Sequence, residues 1–240
     1  MEYHSIKRVK PEPLPKFYNE NEHTFEIGID EAGRGPLFGR VYVAGVVLSK
    51  DMDTNEIRDS KKLSKKKLQH LSTQICQNAV VYHIAFVEAI EIDQINIREA
   101  VIKGMHECAR ECINKLSNNL LFMDQAHSDT TFFLCVDGND FPTYHHHDGK
   151  RISHETFTGG DNKYASMAAA SILAKVARDE YIRELCLEFP KLSEIYGMDK
   201  HMGYGTKQHL EAIKKYGITD LHRKTFGTCK GKPNCHLDLS

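Results

Sequence analysis

The chain has 240 residues, with 32 basic and 33 acidic side chains and a formal net charge of −1. That length can bury a substantial core in one large domain, and no apolar run approaches the roughly 18 residues of a membrane span. Seven cysteines, an odd number with no Cys-x-x-Cys pair, argue against a disulfide frame and for reduced thiols in a cytoplasmic setting. Residues 1–24 read as a flexible, proline-bearing lead-in with nothing like a secretory signal. The near-neutral total hides two basic stretches: 58–67, with Arg58, Lys61, Lys62, Lys65, Lys66 and Lys67, and the tail from Lys200 onward. Alone, each reads as a solvated helix face. Around an acidic centre, together, they suit an enzyme that grips a polyanion.

The first strand is predicted over 25–30, inside Ile27-Gly28-Ile29-Asp30-Glu31-Ala32-Gly33-Arg34-Gly35-Pro36. Side chains alternate faces along a strand, so Asp30 and Glu31 serve one site only if the strand stops there and the backbone turns. Gly33 and Gly35 permit that turn and leave amides open to a phosphate or hydroxyl. The Asp-Glu pair alone reads equally as a solvated hairpin tip. A β-branched run at 41–48 should pair with it as a hairpin. Asp59-Ser60-Lys61-Lys62-Leu63-Ser64 then leads into a helix over 65–77, capped by Ser64, with Leu68, Leu71 and Ile75 on one face. A third strand follows at 79–87. The segment 91–96 reads as a turn opening an amphipathic helix over 97–116.

The apolar strand 132–136 ends at Asp137-Gly138-Asn139. Residues 142–150, with His145, His146 and His147, read as a loop whose metal binding would be adventitious. A strand is expected at 152–158, then the longest helix, 161–189. Its many small residues at 165–174 would let its backbone lie close against the sheet. A last helix at 206–216 precedes a basic tail. Strands with interleaved helices give an α/β layered fold with a central mixed sheet flanked by helices and a small helical C-terminal extension. Asp30 and Asp137 each close an apolar strand, where functional edges gather. Four carboxylates, Asp30, Glu31, Asp137 and Asp179, would repel one another at one point unless hard cations such as Mg²⁺ or Mn²⁺ sat between them.

Six motifs share their order with a known family: Gly28-Ile29-Asp30-Glu31-Ala32-Gly33-Arg34-Gly35-Pro36-Leu37, Asp59-Ser60-Lys61-Lys62-Leu63-Ser64, Asp137-Gly138-Asn139, Ala168-Ala169-Ala170-Ser171-Ile172-Leu173-Ala174-Lys175-Val176-Ala177-Arg178-Asp179, Gly203-Tyr204-Gly205-Thr206 and His222-Arg223-Lys224-Thr225-Phe226. Together they resemble type 2 ribonuclease H (ribonuclease HII). The resemblance implies a ribonuclease H-like fold over 25–226, with 227–240 as a basic tail. It implies a two-metal Mg²⁺- or Mn²⁺-dependent endonuclease of RNA–DNA hybrids that also cuts 5′ of a single ribonucleotide in duplex DNA. The ends left would be a 3′-hydroxyl and a 5′-phosphate, consistent with roles in ribonucleotide excision repair and replication.

By motif position, Asp30, Glu31, Asp137 and Asp179 match the family's metal-binding acids. Gly33, Arg34 and Gly35 match the loop that contacts the 2′-hydroxyl. Tyr204 matches the tyrosine packing on the sugar at the RNA–DNA junction, and Lys61 and Lys62 match a basic segment near the phosphates. Arg40 and Gly159 depart from the pattern, where proline and lysine are usual, which bears on substrate preference. A monomer is expected, without a membrane and without a clamp-binding motif at the C-terminus. The rivals are type 3 ribonuclease H, with its larger N-terminal domain, and a non-catalytic hybrid-binding module. A zinc site of Cys229, Cys235, His236 and His222 fits no common finger spacing.

Overall fold

The structure, a computed structural model, describes residues 12–19, 21, 23–122 and 130–235. Among these residues β1 (Thr24–Ala32), β2 (Val41–Val47), β3 (Val81–Val87), β4 (Thr131–Asp137), β5 (Tyr144–His145) and β6 (Arg151–Phe157) form one six-stranded sheet, ordered β3-β2-β1-β4-β6-β5. The β-branched run of β2 pairs antiparallel with both β1 and β3, the expected hairpin included. Strands β1, β4 and β6 run parallel, so the sheet is mixed.

Helices cover both faces. On one side α2 (Ala89–Phe122) buries Val101, Cys108 and Cys112 against Ile27, Ile29 and Val43. On the other, α1 (Lys65–Asn78) and α3 (Ala165–Glu188) pack Ile75, Ala168 and Ile172 against Ala44 and Val46. Ser64 caps α1, its hydroxyl accepting from the Lys67 amide at 3.3 Å. The small residues of α3 have the purpose expected of them. A Cβ on Gly28 of β1 would stand 2.3 Å from the Ser166 carbonyl carbon, so helix and strand touch backbone to backbone there.

Several boundaries differ from the sequence reading, among them the end of α2 at Phe122 rather than 116 and the short strand β5 within the expected 142–150 loop. Helix α2 begins at Ala89 and is two helical pieces joined at Asn96, whose φ of 70° breaks it. The Asn96 side chain then accepts from the Glu99 amide at 3.1 Å, capping the second piece. Helix α3 begins at Ala165 because Gly160–Asn162 forms a separate 3-10 turn. Strand β1 does not stop at the acids. It pairs with β2 through Ala32, and the turn begins at Gly33, with φ 95°.

Part of the expected lead-in is held to the domain. Buried Glu26 accepts from the amides of Tyr18 and Asn19 at 2.7 and 2.9 Å, and the Pro15 carbonyl accepts from the Ala165 amide at 2.8 Å. Residues 1–11 lie outside the described residues. After α3 come α4 (Lys191–Glu194), α5 (Met198–His201) and α6 (Lys207–Tyr216), which make up the helical extension. The terminal residues 236–240, where the clamp motif was sought and where His236 lies, are outside the described residues. No helix among the described residues is long and apolar enough to cross a membrane.

Candidate active site

Alternation along β1 sends Glu26, Gly28 and Asp30 toward α3, and Ile27 and Ile29 toward α2. The register pairs Ile29 with Val136, so one residue further on the parallel strands β1 and β4 bring Asp30 beside Asp137. A cleft of about 230 Å³ opens there, lined by Asp30, Glu31, Asp137, the Gly33-Arg34-Gly35 loop, Lys61 and Tyr204, with Ser171, Lys175 and Arg178 of α3. Glu31 reaches the cleft although it follows Asp30, because the chain leaves the sheet just beyond it. Its carboxylate lies 3.6 Å from the Arg34 guanidinium.

Burial raises the Asp30 carboxyl well above its usual range, and the charges of Glu31 and Asp137 raise it further. Burial also raises Glu31, Arg34 lowers it, and Asp137 raises it. Asp137 accepts from the Gly160 amide, so the 3-10 turn before α3 orients it. Asp179 is set back from the others. It is buried on α3 and pairs with Lys175 one turn earlier at 2.5 Å, and it is the Lys175 side that lines the cleft. Three of the four expected acids therefore share the cleft, and the fourth stands behind a lysine. Among the described residues no three His, Cys, Asp or Glu side chains close around one point, at the acids or at Cys229.

Lys61 lines the cleft, whereas Lys62 turns to Asn162 and to Asp59, 3.8 Å away. Tyr204 is 47 % exposed at the rim, with the Arg178 guanidinium 5.9 Å from its ring centre. Arg40, one of the departures from the family pattern, lies over Phe86 and Tyr181 and pairs with Glu88 at 2.6 Å. A larger hollow of about 870 Å³ near His146 and Arg151 is lined by none of the four acids.

Sequence reasoning missed the residue that shapes the glycine loop. Arg223 is fully buried, and its guanidinium donates to the carbonyls of Gly33, Arg34, Pro36 and Gly39 at 2.7 to 3.1 Å. In a trans peptide the C=O and the following N–H point opposite ways. With the Gly33 and Arg34 carbonyls drawn inward, the amides of Arg34 and Gly35 point away from Arg223. Burial, with Arg178 nearby, lowers Arg223 to about 9. Arg178 is buried too and donates to the carbonyls of Met202 and Phe38 at 2.8 and 3.3 Å. Among the described residues neither arginine ion-pairs with a carboxylate. The only signal in the sequence was Arg223's place in the His-Arg-Lys-Thr-Phe motif.

A mixed sheet with helices on both faces and an acidic cleft beside its two central parallel strands defines an α/β enzyme of ribonuclease H-like fold. The ribonuclease HII family profile matches residues 27–229. Ribonuclease HII of Francisella tularensis subsp. novicida (strain U112) is 44 % identical over 200 residues, covering 83 % of this chain and 95 % of that one. The ribonuclease H2 structure from Pyrococcus horikoshii OT3 shares the fold, with a TM-score of 0.63 at 21 % identity over 85 % of this chain and 95 % of that one. The structure of Bst-RNase HIII in complex with Mn²⁺ shares it at TM-score 0.54 and 17 % identity, over 87 % of this chain and 68 % of that one. The chain belongs to the ribonuclease HII family and is a ribonuclease H, a hydrolase.

Proposed function

We propose that this enzyme is an endonuclease that cuts the RNA strand of RNA–DNA hybrids and also cuts 5′ of a single ribonucleotide embedded in duplex DNA, leaving a 3′-hydroxyl and a 5′-phosphate. Family membership supports the first activity. The observation that carries the second is the Gly33-Arg34-Gly35 loop, whose Gly33 and Arg34 carbonyls are taken by Arg223, so that the Arg34 and Gly35 amides are free to meet a sugar hydroxyl beside the acids. The 2′-hydroxyl is what separates RNA from DNA at a site. Tyr204, exposed across the same cleft, would pack on the sugar of the next nucleotide and complete a reader of the RNA–DNA junction. Lys61 would receive a flanking phosphate. In the cell these activities suit ribonucleotide excision repair and the removal of hybrids left by replication.

The donor set fits a hard divalent cation. Every candidate ligand is a carboxylate oxygen, and the burial that raises Asp30 and Glu31, with the charge of Asp137 added to each, is a cost that a cation relieves. Asp30, Glu31, Asp137 and Asp179 would hold Mg²⁺ or Mn²⁺, in a two-ion arrangement that activates a water and stabilises the leaving oxygen. The chain's own part is positional. Gly160 orients Asp137, Ser171 orients Asp30, and Lys175 neutralises Asp179 until a cation competes for it. The test is cleavage of a labelled DNA duplex carrying one ribonucleotide, with Mg²⁺ and Mn²⁺ compared. A nick on the 5′ side of the ribonucleotide is expected, and an enzyme that cuts long hybrids but leaves this duplex intact would refute the second activity.

A further inference from the structure

The Tyr204 loop is held from beneath by two histidines that the cleft does not use. The Tyr204 carbonyl lies 3.0 Å from His209 Nδ1, and His209 Nε2 lies 3.0 Å from His222 Nε2. On its far side His222 Nδ1 meets the Thr219 amide at 2.9 Å. Neither ring has any exposed surface. The partners at the two ends assign every proton. A backbone N–H can only donate, so His222 Nδ1 accepts and its proton sits on Nε2. His209 Nε2 must then accept, which places the His209 proton on Nδ1, aimed at a carbonyl that can only accept. The chain of donors runs one way, from Thr219 through His222 and His209 to Tyr204.

A further proton on His209 would set two N–H groups against each other across the 3.0 Å contact, and one on His222 would do the same against the Thr219 amide. Burial, and His201 for one ring and His209 for the other, push His209 down to about 4 and His222 to about 3. The groups packed around the pair are the His201 ring, stacked on His209 at 5.1 Å, the Tyr196 ring against both, and Phe38 edge-on to His222. Arg223, the nearest cation in sequence, follows His222 directly and is turned to the glycine loop. The turn from Thr219 to Arg223 thus braces both sides of the cleft, the tyrosine through imidazoles and the glycine loop through a guanidinium.

We propose that His209 and His222 are positioning residues, a proton-ordered neutral pair that sets Tyr204 over the cleft and so sustains discrimination of a lone ribonucleotide. This rests on the junction-reading role given to Tyr204 above. The first test reads the tautomers directly, by long-range ¹H–¹⁵N NMR of the full chain with labelled histidine. His209 should carry its proton on Nδ1 and His222 on Nε2, and both should stay unprotonated from pH 8 to pH 5. A His209 protonated on Nε2, or titrating near its ordinary value, overturns the pair.

The second test measures kcat and KM on two duplexes, one with a single ribonucleotide and one a long hybrid. His209→Leu removes one of two donors to the Tyr204 carbonyl, leaving the Thr206 amide at 2.8 Å, whereas His209→Asn keeps an N–H near the Nδ1 position. The leucine variant should lower the ratio of the two activities by roughly tenfold, the asparagine variant by no more than about twofold. In a Tyr204→Ala background His209→Leu should lower the ratio no further. Equal losses on both duplexes, or a loss of ratio that persists without Tyr204, overturns the positioning role. Should the leucine variant fail to fold, an asparagine variant that loses the ratio as fully as Tyr204→Ala overturns it instead. Tyr204→Ala with an unchanged ratio would remove the reading of Tyr204, and the positioning role with it, while the tautomers are judged separately by NMR.

Discussion

The floor and the rim of the cleft handle buried charge in opposite ways. On the floor Asp30, Glu31 and Asp137 crowd one another, and the first two have raised pKa values. At the rim Arg223 is a buried cation answered by main-chain carbonyls, while Arg178 donates to two carbonyls through Nη2 alone, its Nε and Nη1 being buried without a hydrogen-bond partner among the described residues. Leaving a charge crowded costs stability, and satisfying it with fixed dipoles rigidifies what surrounds it. The floor holds carboxylates that no cation of the chain fully answers, whereas around Arg223 the rim supplies its own partners. Substitutions should separate the two regions by sign: floor variants lose chemistry and keep the fold, while rim variants lose the fold or the reading.

The largest effect is expected on the floor. Asp30→Asn should lower cleavage by at least about a hundredfold, since several kcal/mol of charge stabilisation goes with one ligand. In metal-free buffer its thermal midpoint should be unchanged or higher, because a carboxyl with a raised pKa disfavours the folded state at neutral pH. Substantial turnover in Mg²⁺, or a marked fall in midpoint, would break the contrast. At the rim, Arg223→Met should cost about 3 kcal/mol or more in denaturant unfolding, because the carbonyls of the glycine loop lose their buried partner. A methionine variant as stable as the parent would mean that the loop holds its shape unaided.

The next effect concerns pH. His209 and His222 have folded pKa values of about 4 and about 3, below the ordinary value near 6.5. The unfolded chain therefore binds more protons between these limits. Stability from the pair is full above about pH 6.5 and is lost as pH falls toward 4, by up to about 1.4 kcal/mol per pH unit for each histidine. Asp30 and Glu31 act in the opposite sense, so the comparison is wild type against His209→Leu, whose unfolding free energy should fall less steeply with acid. Identical slopes would count against a neutral pair. The smallest effect separates the two lysines. Lys61→Ala should reduce the log–log salt slope of duplex binding by about one unit, and Lys62→Ala by clearly less. Equal effects would place both on phosphates.

Much of the floor could be read in the sequence. Each of β1 and β4 is an apolar run closed by an acid, and the small residues of α3 announced the close approach to Gly28. Asp179 was found by its motif, but the lysine in front of it was not, since an i,i+4 pair on a helix reads as surface decoration until burial is known. The strand was expected over 25–30, stopping at the acids because two adjacent acids otherwise face apart; in fact β1 continues to Ala32, and the turn follows it. The rim was far less legible. Arg223 works through carbonyls far away in sequence, and His209 and His222 through each other and the Tyr204 carbonyl and Thr219 amide, and such contacts leave no period in the sequence. Lys62 shared a motif and a charge with Lys61, and only its turn toward Asn162 separates them.

Arg223 and Gly33 stand 190 positions apart, and that distance sets an order of events in synthesis. Strands β1 and β2 can pair early, and all four acids have emerged by residue 179. The Gly33 and Arg34 carbonyls, by contrast, wait for Arg223, although Phe38 and Leu37 can meet Arg178 and Gly203 sooner. A nascent chain therefore carries its acids before the arginine that restrains the Gly33 and Arg34 carbonyls. Chains arrested at successive lengths, each carrying an added C-terminal extension to span the exit tunnel, would show the sequence of events, with protease protection of residues 33–36 arriving only after Arg223 has emerged. Protection that arrives earlier would mean that the loop sets without its arginine.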